Sequence, residues 1–223
     1  MKKPLIICDF DGTITKKDNI ISIMKKFASP EWESVKDAVL HEEMSIRKGV
    51  GKMFSFIPSY QKYAMIEYIL STAEIREGFK QFVEYTEREN IPLFIVSGGI
   101  DFFVKPLLKH LIAEDRIFCN EADFSHDFVE IQWPHSCDDQ CSNDCGCCKP
   151  SIIRKIQSKD NFVIVIGDSI TDLEAAKLAD FVFARDLLLK KCQDLNLPHR
   201  SFETFTDIIP YLQHLNEMMK ASV

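Results

Sequence analysis

The most constraining feature of this chain lies at its start. Leu5-Ile6-Ile7-Cys8 is an unbroken apolar run, and Asp9-Phe10-Asp11-Gly12-Thr13 follows at once. A short apolar run bounded by a turn reads as a β-strand buried on both faces. It delivers two carboxylates, two residues apart, to the end of the strand. At a separation of about 4 Å two such charges repel by about 4 kcal/mol at an effective dielectric near 20. A divalent cation relieves that repulsion, and carboxylate oxygens suit Mg2+. Gly12 permits a sharp turn, and the Thr13 hydroxyl can donate to an anion. The competing reading is an acidic turn after an edge strand. Taken together, these residues point to phosphate handling with an aspartate nucleophile.

Three later segments support the phosphate reading. Ile95-Val96-Ser97-Gly98-Gly99 is a strand that ends in a hydroxyl and two glycines. Cys148-Lys149-Pro150 places a cation just before a helix, with Pro150 at its first position. Val163–Ile166 with Gly167-Asp168-Ser169-Ile170-Thr171-Asp172 is a strand ending in another acidic turn. In order, the four segments read Asp-x-Asp-Gly-Thr, Ser-Gly-Gly, Lys and Gly-Asp-x-x-x-Asp.

That series resembles the haloacid dehalogenase superfamily of phosphatases, across nearly the whole chain. Within it, the chain resembles the phosphoserine-phosphatase-like branch. Residues 95–106, together with Cys147-Cys148-Lys149-Pro150, are similar to the methionine-salvage phosphatases of that branch, which act on a methylthio-enol phosphate. The resemblance implies phosphomonoester hydrolysis through an aspartyl-phosphate. Asp9 would be the nucleophile and Asp11 the acid that protonates the leaving alkoxide, then the base that activates water. Mg2+ would be held by the Asp9 and Asp168 side chains and the Asp11 backbone carbonyl. Thr13, Ser97, Gly98 and Lys149 would meet the phosphate, and Asp172 would orient the metal site or Lys149.

Each assignment has a plainer alternative. Ser97 could cap the next helix, Lys149 could be a solvated lysine, and Asp172 could be only a favourable charge at a helix start. Asp11 favours phosphoryl chemistry over dehalogenation, because only an alkoxide leaving group needs its proton. A phosphomutase would share the pair. A phosphoserine or other small-metabolite phosphatase, and a non-enzymatic metal-binding or regulatory protein, also stay open.

The chain has 223 residues, enough for one α/β core and a small insertion. A net charge of −7 argues against nucleic acid as a partner, so a small phosphorylated metabolite must be met by local cations. The apolar run after Met1-Lys2-Lys3 is too short for a signal segment. No stretch reaches the roughly 18 apolar residues of a membrane span. A cytoplasmic protein without a membrane partner is therefore expected, and a homodimer is left open.

Residues 4–8, 92–96, 162–166 and 180–184 read as parallel strands alternating with helices, which implies a doubly wound α/β sheet. Ile75, Phe79, Phe82, Val83 and Thr86 share one helical face. Leu107, Leu108, Leu111 and Ile112 form a second stripe, with Pro106 expected in its first turns or at a kink. Phe205, Ile208, Ile209, Leu212, Leu215 and Met219 line a closing helix. In such sheets ligands bind beyond the carboxyl ends of the strands. Asp9, Ser97 and Asp168 each occupy such an end, so distant motifs can converge. Phe128–Trp133 alternates apolar and polar residues, as in the half-exposed strand of a hairpin near Lys149.

Residues 15–76 interrupt this rhythm with helical patterns at Ile20, Ile23, Met24 and Phe27, at Met53, Phe54 and Ile57, and at Met65, Ile66, Ile69 and Leu70. Asp18 or Asn19 can cap the first helix. The resemblance implies a helical cap over 15–76, inserted into a core of 1–14 and 77–223. The resemblance implies that the phosphoserine enzymes have a cap Glu where this chain has Asp18 and a carboxylate-gripping Arg near Met53. Here Met44, Met53, Phe54, Phe56 and Met65 offer an apolar lining instead, unless they are simply core. Arg47 and Lys52 remain for polar contacts.

Cys137, Cys141, Cys145, Cys147 and Cys148 fall within twelve residues, near His135. The spacing is not that of paired C-x2-C zinc ligands. A thiophilic ion, reversible disulfides and reduced thiols in a loop are the three readings. Cys148 adjoins a cation and a helix start, so its thiol is the one expected to be acidified.

Overall fold

The computed structural model describes residues 2–221, with side-chain surroundings through residue 218. Seven strands form one sheet in the order β4-β3-β2-β1-β5-β6-β7. They are β1 (Lys3–Cys8), β2 (Leu93–Ile100), β3 (Ile117–Asp123), β4 (Glu130–Gln132), β5 (Asn161–Gly167), β6 (Phe181–Ala184) and β7 (His199–Ser201). All neighbours pair in parallel except β4, which runs antiparallel to β3 at one edge. The helices are α1 (Asn19–Phe27), α2 (Trp32–Leu40), α3 (Ile46–Phe54), α4 (Lys62–Thr72), α5 (Phe79–Arg88), α6 (Asp101–Leu108), α7 (Lys149–Ile156), α8 (Leu173–Ala176), α9 (Asp186–Asp194) and α10 (Ile208–Ala221).

The apolar runs are continuous because the sheet is covered on both faces. Within β1, Ile6 and Cys8 join a core with Phe79, Phe82, Phe205, Ile208 and Leu212. Leu5 and Ile7 turn the other way, toward Ile152, Ile153, Ala175, Ala176 and Leu188. Burial of each large aliphatic side chain stabilises the fold by about 1.5–3 kcal/mol.

The register explains why distant motifs meet. Cys8 pairs with Ile95 on one side and Ile166 on the other. The Asp9 amide continues the ladder, donating to the Ile166 carbonyl at 2.9 Å. Asp9 and Asp168 therefore leave neighbouring strands at the same level.

Helices α1 to α4 lie between Thr15 and Ile75, whose backbones pair antiparallel. Asp18 caps α1 by accepting from the Ile21 amide at 2.9 Å. Met53, Phe54 and Met65 are buried in the core shared with the sheet, so they do not form an exposed lining. Pro58 pairs with Phe128, and the Val129 amide donates to the Ile57 carbonyl. The β3–β4 hairpin is thus laced to the helical segment.

Three expectations need correction. Helix α6 begins at Asp101, directly after β2, and Pro106 lies in its last turn rather than its first. Without an amide hydrogen Pro106 makes no ladder bond, and the helix stops two residues later. Strand β2 does not end at Ser97 but runs on to Ile100 through an irregularity between Val96 and Ile100. The alternating segment forms a strand only over Glu130–Gln132, with Val129 and Ile131 as its buried positions. Met219 lies outside the residues whose side chains are described.

Candidate active site

The site forms where β1 and β5 end, beside the irregular stretch of β2 that carries Ser97. Asp9 is buried, and its Oδ1 accepts a hydrogen bond from Lys149 Nζ at 2.5 Å. Lys149 also donates to Asp172 Oδ1. A fully buried lysine ordinarily loses its proton. Here burial does oppose the charge, but Asp172 and Asp9 outweigh it and hold the ammonium above its usual range. Lys149 opens α7, followed by Pro150, so its backbone is fixed by a helix start. It is a buried, paired cation and not a solvated one.

Asp172 is fully buried and occupied on both oxygens. Its Oδ2 accepts from the Asp168 and Ser169 amides at 3.1 and 3.0 Å, closing a capping box with Ser169. Its Oδ1 takes Lys149.

The loop after β1 turns at Gly12, whose φ is +82°. A Cβ there would strike the Asp168 carboxylate, so only glycine fits. The Thr13 hydroxyl donates to Asp168 Oδ1 at 2.7 Å. Burial and then Asp172 raise the Asp168 carboxyl to about 6. Burial and then Asp18 raise Asp11 to about 7. Its Oδ1 accepts from the Asn19 amide and the Asn19 Nδ2 at 2.9 and 2.7 Å. Its Oδ2 is buried with no partner. That orphan oxygen and Ser97 Oγ both border Gly99, where an added Cβ would crowd them at 2.7 and 2.9 Å. Ser97 Oγ accepts from the Gly99 amide at 2.9 Å, and Ile100, not Ser97, is the residue at the α6 cap. A Cβ on Gly98 would meet open space.

Three positioning roles escaped the sequence reading. Arg76 is buried and donates from Nε to the Thr13 carbonyl and from Nη2 to the Gly12 carbonyl, each at 2.7 Å. It fastens the turn after β1 from the far end of the helical segment. Asn19 fastens Asp11. Asn120 donates to the Gly98 carbonyl at 2.8 Å, and its Oδ1 is buried without a partner. Each acts on backbone or on a carboxylate from another segment, which leaves no mark in spacing.

The cysteines divide. Cys137, Cys141, Cys145 and Cys148 gather, whereas Cys147 points its thiol at the Phe118 carbonyl. All eight thiols of the chain are unbridged. The Cys148 thiol is lowered to about 5, first by a hydrogen bond from Cys145 and against the effect of burial. Acidification at Cys148 was the sequence-based expectation, but the principal cause is a neighbouring thiol.

A strand-end aspartate pair, a buried lysine and a second acidic turn on one mainly parallel sheet define a class. Residues 6–177 match the haloacid dehalogenase-like hydrolase family, and the chain belongs to it. It is 59% identical over 216 residues to a 2-hydroxy-3-keto-5-methylthiopentenyl-1-phosphate phosphatase of Geobacillus thermodenitrificans, covering 96% of this chain and 98% of that protein. It is 54% identical over 218 residues to a bifunctional enzyme MtnB/MtnX of Bacillus licheniformis, covering 98% of this chain and 51% of that one. The fold is similar to a substrate-bound phosphoserine phosphatase, with a TM-score of 0.72, 18% identity, and coverage of 95% and 99%. Among the described residues no helix is long and apolar enough to cross a membrane.

Proposed function

We propose that this chain is a phosphomonoester hydrolase that removes the phosphate of 2-hydroxy-3-keto-5-methylthiopentenyl-1-phosphate, with Asp9 as nucleophile. One observation carries the substrate: identity of 59% over 96% of the chain to a phosphatase of that name. The site geometry supports the roles. Lys149 holds Asp9 Oδ1 and fixes the carboxylate for attack on phosphorus, which forms the aspartyl-phosphate as the P–O bond to the leaving alkoxide breaks. Asp11 keeps a proton near neutral pH because of burial, and its orphan Oδ2 delivers that proton to the leaving oxygen. The same oxygen then takes a proton from the water that hydrolyses the acyl-phosphate. Ser97 accepts from Gly99 and so has its own proton to give to a phosphate oxygen, while Lys149 offsets charge as it builds. Gly98 allows backbone approach, and Thr13 holds Asp168 in place.

Mg2+ fits this donor set. Asp9, Asp168 and Asp172 each offer a carboxylate oxygen, all within 4.8 Å of one another, and such hard oxygens suit it. Asp9 and Asp168 would hold the ion with the Asp11 backbone carbonyl, since Asp172 is occupied by Lys149 and two amides. When bound, the ion supplies positive charge against the phosphate oxygens. Helices α1 to α4 serve as the cap, over 15–76, and the reaction runs in the cytoplasm.

The three cap positions weighed for gripping a phosphoserine carboxylate are apolar or otherwise engaged. Met53 is buried and apolar, Lys52 lies over the Phe56 ring, and Arg47 pairs with Asp144 over the Trp133 ring. A carboxylate left unpaired in a closed site costs several kcal/mol. Phosphate release from the methylthio-enol phosphate should exceed that from O-phosphoserine by about 100-fold or more in kcat/KM. Comparable values for the two would overturn the substrate.

A further inference from the structure

The four gathered thiols have no part in the reaction above. The Sγ atoms of Cys137, Cys141, Cys145 and Cys148 all lie within 4.8 Å of one another. Those of Cys141 and Cys145 are 3.9 Å apart, well beyond the roughly 2.05 Å of a disulfide. A tetrahedral site with Zn–S bonds near 2.3 Å has sulfur–sulfur edges of about 3.8 Å. A multi-iron cluster spreads its ligands more widely than this, so the spacing suits a single ion. We infer that Cys137, Cys141, Cys145 and Cys148 bind one Zn2+ ion as thiolates and so build the loop that leads into Lys149.

The ligand pattern is C-x3-C-x3-C-x2-C. Cys147 interrupts it in the sequence and hides the C-x2-C step, but its thiol faces the Phe118 carbonyl instead. The loop already supplies donors to the sulfurs. The Cys145 amide donates to Cys137 Sγ at 3.4 Å, and the Ser151 hydroxyl donates to Cys148 Sγ at 3.0 Å. Such bonds stabilise thiolates and orient metal ligands.

Residues 133–148 contain no helix or strand. Between the third and fourth ligands the chain turns at Gly146, at φ +81°, just after Asp144 at φ +50°. A structureless stretch of this length inside a compact domain needs a constraint. The loop also has attachments to spread that constraint. Asp138 pairs with Arg154 of α7. Asp144 accepts from Ser45, the residue that caps α3, at 2.6 Å. One ion would thus tie the start of α7 to the helical segment. With four protein ligands and no open position the site is structural, and binding releases the thiol protons.

The test is metal content after purification under reducing conditions without added metal. Wild type and Cys147→Ser should carry about one zinc per chain, and Cys145→Ser about tenfold less. A second measurement does not depend on the variant folding. Co2+ added to chelator-treated, reduced wild type should give thiolate-to-cobalt charge transfer and the intense visible bands of tetrahedral cobalt, and Zn2+ should erase them. Equal zinc in folded Cys145→Ser, or folded wild type that holds no zinc and gives no tetrahedral cobalt spectrum, would overturn the inference.

Discussion

Two clusters of reactive side chains meet on either side of the Cys148–Lys149 bond, and they are built in opposite ways. The carboxylate cluster draws Asp9, Asp11, Asp168 and Asp172 from two strand ends about 160 residues apart in the chain. Its geometry is set by the register of β1 against β5, and Lys149 pairs with two of its members, Asp9 and Asp172. The thiol cluster draws all its members from twelve consecutive residues. Its geometry is set by a loop with left-handed turns and side-chain ties, outside any strand pairing. The difference teaches what each can do. A sheet-held cluster tolerates the strain of opposed charges, which chemistry needs. A loop-held cluster depends on its own ligands for shape, and so suits a structural role.

Substitution can separate the two. The largest effect is expected at Asp9. Asp9→Asn should lower kcat by at least about 1000-fold, because an amide forms no acyl-phosphate. Its circular dichroism and melting curve should stay close to wild type. Near-normal phosphate release would remove Asp9 from the mechanism.

Lys149→Met should cut kcat by about 100-fold and also destabilise the fold by about 3–5 kcal/mol, since it leaves Asp9 and Asp172 as buried, uncompensated charges. Urea titration and phosphate release on the same preparation check both effects. A variant as stable as wild type would mean that the lysine does not hold the carboxylates together.

The pH dependence of stability follows from the raised carboxyls. Asp11 at about 7 and Asp168 at about 6 bind protons more tightly when folded than when unfolded. Their contribution is full below about pH 4 and is lost as pH rises through 6 and 7. Asp138, held down to about 2 by Arg154, acts with the opposite sign but only at lower pH. A cation bound to ionised Asp168 should therefore restore more at pH 8 than at pH 5. Melting curves with and without Mg2+ at the two pH values test this. Equal Mg2+ shifts at both would contradict it.

The smallest effect lies on the thiol side. Ser45→Ala removes the α3 cap and its bond to Asp144, and should cost about 1 kcal/mol with kcat unchanged. A large fall in kcat would show that the loop and the carboxylates are not separable.

The sequence reading succeeded where burial forces a pattern. The runs of β1, β2, β5 and β6 are apolar because both faces of the sheet are covered. The ends of β1 and β5 set the positions of Asp9 and Asp168, whereas Ser97 sits within β2, at its irregular stretch, and not at its end. It failed at β3, where Asn120 and Glu121 break the apolar run, and at β7, a three-residue edge strand of His199, Arg200 and Ser201. Arg76 and Asn120 went unread, and Asn19 was read only as a possible helix cap, because their partners come from other segments. The thiol geometry was obscured for a simpler reason: Cys147 stands between two ligands without being one. Side-chain direction, not spacing, makes that distinction.

The central claim is that Asp9 carries the phosphoryl group between substrate and water. Acid quench of the enzyme during turnover of the methylthio-enol phosphate, followed by peptide mass spectrometry, tests it directly. One acid-stable, hydroxylamine-labile phosphoryl group on the peptide containing Asp9, absent from Asp9→Asn, is the expected result. Full turnover with no phosphorylated Asp9 peptide, or with the label on another residue, would contradict it.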